Sequence, residues 1–179
     1  MIRPPQATKM NMQAFAEAGV PMIEIVPLQD LKRLALESVG LQAELSINWQ
    51  AVAELRSGST GQMDIWLHLR SDTCLPLTCQ RCMGAVQTPL EVDQWYRFVA
   101  SEDIAMVEDD ASVEDLLVLT PQFDLLAVLE DELLMALPLV PMHDECPELP
   151  AFSAGVIDRP SDIEGKPSPF AALAQLKKN

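Results

Sequence analysis

Basic side chains are scarce: twelve Lys and Arg stand against twenty-seven Asp and Glu in 179 residues, a net charge of −15. A protein that holds nucleic acid through its phosphates needs a basic surface, because counterion release supplies most of that affinity. This balance disfavours a DNA binder or a general RNA binder. It suits either plain solubility or a partner that is itself basic, ribosomal proteins being a large class of such partners. Two histidines and one tyrosine leave little for acid–base catalysis, and the seven scattered glycines form no phosphate loop. No nucleophile elbow or triad motif is present, so the expectation is a protein that is not an enzyme. No apolar run approaches the ~20 residues of a membrane helix. The start of the chain, Met1 to Pro5, leads into a polar run from Gln6 to Gln13. A cytoplasmic protein with no membrane role is expected.

What is present is a core, since 49% of the residues are hydrophobic. Ala14, Phe15, Ala18 and Val20 suit a short helix in an N-terminal arm. Leu28 to Val39 reads as a helix with Gly40 at its C-cap. The period then changes to two: Leu41, Ala43, Leu45, Ile47 and Trp49 alternate with polar residues, and Val52 to Leu55 extends that strand or starts another. After the turn at Ser57 to Gly61, Met63, Ile65, Leu67 and Leu69 mark a second strand. Leu75 to Thr78 marks a third, with Pro76 suggesting an edge or interruption. Val86 to Val99 reads as a further long strand. Residues 101–115 hold seven acids and no base, and are expected to be a solvated loop. Val113 to Leu119 suits a brief strand. Asp124 caps a helix of about 124–136, stopped by Pro138 and striped by Leu125, Leu126, Leu129, Leu133 and Leu137. Val128, Leu134 and Met135 make a second apolar face on it.

The expected class is α+β: an antiparallel sheet of about four to five strands, a packed amphipathic helix and short terminal helices. Residues 1–40 are an N-terminal arm and helix, 41–146 the core domain with the acidic loop 101–115, and 147–179 a proline-rich tail. The tail ends in a short apolar helix whose Phe170, Leu173 and Leu176 form a hook.

Cys79 and Cys82 flank two residues, and about sixty residues later His143 and Cys146 do the same. Thiols stay reduced in the cytosol, so a disulfide is disfavoured there. Two short chelating pairs on two loops are what a closed tetrahedral zinc site requires, and one structural zinc is the implied cofactor. The other reading is a pair of turn cysteines with an unrelated His and Cys. Cys74 belongs to the sheet and not to this set. Trp66 and Arg70 share a strand face with His68; Trp95 and Arg97 fall on the polar side of a later strand, with Arg81 on the cysteine turn nearby. Such a face can stack on unpaired bases, while tryptophans packed under another segment are the alternative. Glu130, Asp131 and Glu132 form an acidic ridge with no lysine at helical spacing, either offered to a basic partner or simply solvated.

Cys79-Gln80-Arg81-Cys82, Asp124-Leu125-Leu126, Glu130-Asp131-Glu132-Leu133, Ala136 to His143, Cys146 and Pro169-Phe170-Ala171-Ala172-Leu173 occur in this order. Together they resemble the YceD family of large-ribosomal-subunit RNA accumulation proteins over roughly the last hundred residues. The resemblance implies a factor supporting synthesis, processing or stability of 23S ribosomal RNA, without an established catalytic mechanism. Three readings follow. The first is a non-enzymatic scaffold contacting ribosomal or assembly proteins of the large subunit, with at most weak 23S rRNA contact. The second is a direct RNA-binding module using Trp66, Arg70, Arg81 and Arg97. The third is a zinc-stabilised adaptor unrelated to ribosomes.

Overall fold

A computed structural model describes residues 7–40, 44–58 and 61–147. The expected strand start at Leu41 and Ala43, part of the turn before the second strand, and the tail hook of Phe170, Leu173 and Leu176 lie outside the described residues. The described order is helix α1 (Met12–Ala18), strand β1 (Met22–Pro27), helix α2 (Lys32–Glu37), strands β2 (Ser46–Ser57), β3 (Met63–Thr78) and β4 (Ala85–Val99), helix α3 (Glu102–Glu108), strand β5 (Asp115–Val118) and helix α4 (Leu125–Met135). The five strands form one sheet in sequence order.

The class is α+β as expected, and β1 to β4 pair antiparallel. The final pair departs from that expectation, since β5 runs parallel to β4. A parallel return needs a crossover, and α3 supplies it. Strand β1 lies inside the stretch expected to be an arm and helix. Its Ile23 and Ile25 point to the open face and are exposed, so its apolar alternation resembled no half-buried strand. The expected helix from Leu28 is a 3-10 turn, Leu28–Asp30, followed by α2 alone. That helix ends at Glu37 with Ser38 extended, so Gly40 is not its C-cap.

One face of the sheet carries the core. Ile47, Trp49, Ala51 and Ala53 of β2 are buried, as are Ile65, Leu67, Leu69, Leu75 and Leu77 of β3. Val86, Leu90, Val92, Tyr96 and Phe98 continue it on β4. This is the period-two pattern of strands with one face packed and the other open. Helix α4 lays Leu125, Leu126, Leu129 and Leu133 into the same cluster, and its cap is the expected one: Asp124 accepts from the Ala127 N–H at 3.0 Å. Val128 and Leu134 are half-buried against the core, while Met135 is exposed.

The acidic stretch 101–115 is not a solvated loop. Ser101 caps α3 by accepting from Ile104 N, and Glu102 and Asp103 sit in its first turn, where the helix dipole favours negative charge. The missing counter-charge comes from the neighbouring strand: Arg97 pairs with Glu108 and with Glu114, each at 2.9 Å.

Strand β3 does not break at Pro76. Among the described residues it pairs with β2 only as far as Asp72, and from Thr73 to Thr78 with β4 alone. Pro76 and Pro89 both lie in this two-stranded part. Val39 N donates to the Pro76 carbonyl at 2.8 Å from outside the ribbon, the side that a proline's absent N–H would face. The ribbon ends in the six residues 79–84, which carry Cys79 and Cys82.

Candidate metal centre

Cys79 continues the inward face of β3 after Leu75 and Leu77, and it is fully buried. The turn beyond it is closed by Cys79 N donating to Gly84 O at 2.8 Å and Met83 N donating to Cys79 O at 2.9 Å. Met83 takes a left-handed φ of 62°, which turns the chain back after Cys82. The second ligand pair arrives on the segment after α4. Gln80 N donates to Pro141 O at 2.9 Å and docks that segment on the turn.

The result is one cluster. Cys79, Cys82 and Cys146 Sγ and a His143 ring nitrogen all lie within 4.8 Å of one another. Cys79 Sγ and Cys146 Sγ are 3.8 Å apart, and Cys82 Sγ and His143 Nδ1 are 3.4 Å apart. These are not disulfide distances, and all three cysteines are free. They match the edge of a tetrahedron whose metal–sulfur bonds are ~2.3 Å, which is ~3.8 Å. His143 Nε2 lies 3.0 Å from the Ala85 carbonyl, so it carries the proton and donates. That leaves Nδ1 unprotonated and facing the thiols, the arrangement that orients a metal-ligating histidine. Three thiols and one imidazole nitrogen in this geometry suit zinc, and the four positions are filled by side chains.

The electrostatics of the thiols differ. Burial acts to raise the Cys79 thiol, but the backbone N–H groups of Cys82, His143 and Arg81 outweigh it and bring it down to about 5. For Cys82, the Gly84 N–H acts to lower the thiol, but burial and the neighbouring Cys79 and Cys146 sulfurs push it up. Arg81 Nε donates to Cys146 Sγ at 3.0 Å. One of its terminal nitrogens donates to the carbonyls of His143 at 2.6 Å and Asp144 at 3.0 Å. Arg81 thus ties the turn to the second ligand pair and sets a positive charge against the thiolates.

The other residues singled out in the sequence fall elsewhere. Trp66, His68 and Arg70 of β3 do share the open sheet face with Trp95 and Arg97, paired as Trp66 with Arg97 and His68 with Trp95. Arg81 is not near them, because Trp66 lies twelve positions before the end of β3 at Thr78. The face is internally satisfied. His68 stacks on Trp95 at 4.1 Å, and Arg56 lies over both Trp95 and Trp66, at 4.1 and 4.5 Å. His68 and Arg70 both pair with Asp93, at 2.6 and 3.1 Å, and His68 first, with Arg70, holds that carboxyl below its usual range. Arg97 is 15% exposed and held by two carboxylates.

The acidic ridge also divides. Glu130 is buried and accepts from the backbone N–H groups of Arg33 at 2.6 Å and Leu34 at 3.2 Å. It therefore caps α2, whose own N-cap residue Leu31 offers no side-chain acceptor. Arg33 closes over Glu130 and Asp131, the cation that helical spacing within α4 could not supply. Glu132 is half-buried beside Tyr96, where burial first and that carboxylate second hold the phenol above its ordinary value. Among these roles, the Glu130 cap and the Arg81 tie left no local signal, since each joins residues more than sixty positions apart.

No helix among the described residues is long and apolar enough to cross a membrane. No solved structure matches the chain. The family model described as large ribosomal RNA subunit accumulation protein YceD matches residues 67–177. A Haemophilus influenzae protein named large ribosomal RNA subunit accumulation protein YceD is 38% identical over 105 residues, covering 56% of this chain and 59% of that relative's length. That match thus spans less than two thirds of the relative. The matched region runs from mid-β3 through both ligand pairs, and on that evidence the chain belongs to the YceD family.

Proposed function

We propose that this chain supports the accumulation of 23S ribosomal RNA as a non-catalytic scaffold that works through protein contacts. Zinc held by Cys79, Cys82, His143 and Cys146 would fix its working end. The observation that carries the scaffold reading is where the charges go. Arg33, Arg56, Arg81 and Arg97 are all engaged within the chain, while the whole molecule stays at −15. Among the described residues, little cationic surface is left to grip a phosphate backbone. A four-ligand site with no open position supplies structure and no activated water. The partners are then ribosomal or assembly proteins of the large subunit.

The direct RNA-binding reading rests on Arg70, which is exposed on the open face, and on Trp66, which is half-buried there. It is the weaker one, because Arg56 and His68 already occupy the aromatic rings. Two measurements test the proposal. Depletion of the protein in its own cells lowers 23S relative to 16S rRNA, and restoring it reverses the loss; unchanged 23S levels would remove the proposal. Elemental analysis of protein purified without chelator finds about one zinc per chain, as a closed site requires. A metal-free chain with its ligand loop intact would remove the zinc.

A further inference from the structure

The end of the sheet that carries the ligand cluster also exposes several large apolar side chains. Leu139 is 101% exposed and Leu36 84%, with Met83 at 70% and Val140 and Met142 just over half. Leu36, Leu139, Val140 and Met142 line two adjoining cavities, and Met83 lies on the cysteine turn. Residues 138–141 form a ridge between two shallow cavities of about 360 and 670 Å³, both of which include Pro138 and Pro141. Leu36 and Leu139 line the smaller cavity, Val140 and Met142 the larger. Large apolar side chains gathered at one place on a soluble surface mark a contact site, and methionines adapt to varied partner shapes.

The charge around the ridge has one sign. Glu37 lines the first cavity, Asp144 and Glu145 the second, and among the described residues no lysine or arginine lines either. The nearby Arg81 points its donors at Cys146 Sγ and the carbonyls of His143 and Asp144. The ridge is also preorganised, since Gln80 N holds Pro141 O and Arg81 holds the segment just beyond.

We propose that this ridge is a docking surface for a basic amphipathic protein segment, which would clasp Leu139 with apolar side chains and meet Glu37, Asp144 and Glu145 with lysine or arginine. Charge decides among occupants. A second copy would bring a −15 partner with the same acidic rim, and RNA would bring phosphates to it. The inference deepens the scaffold reading above and rests on it for the identity of the partner.

The test uses the full-length chain and a fluorescent leucine/lysine amphipathic peptide of about four helical turns, with a leucine/glutamate peptide as its opposite. The lysine peptide binds and the glutamate peptide does not. Leu36→Ser with Leu139→Ser weakens binding about tenfold or more, since two exposed leucines that become buried supply at least that. Val113→Ser, an equally exposed site on another part of the chain, changes nothing. Equal binding of both peptides, undiminished binding by the double variant, or a dimer that the variant dissolves would each overturn the proposal. So would uridine-homopolymer binding lost in the same variant. In cells, a double variant that restores 23S rRNA as well as the unaltered chain would overturn the ridge and leave the scaffold reading standing. Failure of the unaltered chain to restore 23S would count against that reading, while the peptide result still decides the ridge.

Discussion

Arg81 shows how much one side chain can settle in this fold. Three thiolates and one imidazole around a zinc ion leave one negative charge in excess, and Arg81 is the cation the fold sets against it. Its contacts to the His143 and Asp144 carbonyls fix the backbone that presents the second ligand pair. Arg81→Ala is therefore expected to weaken zinc about 10- to 100-fold in a competition assay with a chromophoric chelator, the range for lost outer-shell partners. Arg81→Lys, which keeps charge but not the fork, recovers only part of it. Glu130 is the second such residue. Its carboxylate satisfies two N–H groups of α2 from 96 and 97 positions away. Glu130→Ala should cost about 2–4 kcal/mol in urea denaturation, because it removes a helix cap and one of the two carboxylates of Arg33 together. A cost under about 0.5 kcal/mol would mean that water replaces the carboxylate without loss. The two Cys/His pairs could be read from their spacing alone, and so could the chemistry they suit. Neither Arg81 nor Glu130 could, since their partners are close only after the chain has folded.

At the level of helices and strands, periodicity located what was half-buried and overlooked what was open. The core faces of β2 and β3 and the stripe of α4 lie where the alternation put them. Strand β1 escaped because both its isoleucines face outward, and the acidic segment read as a loop because its neutralising Arg97 belongs to β4. That arginine makes a pH test. Burial acts to raise Glu114, but the Arg97 guanidinium outweighs it and holds the carboxyl below its ordinary 4.5. A depressed carboxylate stabilises the fold fully above its unfolded pKa, and the contribution is lost as pH falls through the depressed folded value. Acid unfolding of the α3–β5 region should thus set in below pH ~4.5. Arg97→Met should move that onset upward, because only the backbone N–H groups of Val113 and Glu114 then act against burial. An unchanged onset, followed by the amide signals of β5, would show that the pair does not hold the region. The two-stranded ribbon gives another expectation. Beyond Asp72 no third strand pairs with it among the described residues, and an isolated hairpin is marginal in water. Chelation should speed hydrogen exchange in residues 74–88 and 138–147 and leave the amides of β2 and of residues 63–71 protected. Uniform exchange throughout would instead make the metal a requirement of the whole fold.

The described residues form a sheet with one packed face, and the charge argument belongs to the scale of the whole chain because no single residue carries it. The sequence carries 27 acids against 12 bases, and Arg81, the described base beside the ligand cluster, turns its donors inward. Attraction to a polyanion falls with salt as phosphate contacts are lost, and the described arginines are held within the chain by acids or by the cluster. The isolated protein is accordingly expected to show no salt-resistant binding to a 23S transcript at ~0.15 M salt, where the screening length is ~8 Å. A basic protein from the large subunit should behave oppositely, binding with an affinity that weakens as salt rises, because its charges meet an opposing field. Titrating both ligands across the same salt series separates the two outcomes. Tight transcript binding that survives the series, and that Arg70→Ala abolishes, would move the working surface to the open sheet face and away from the ligand cluster.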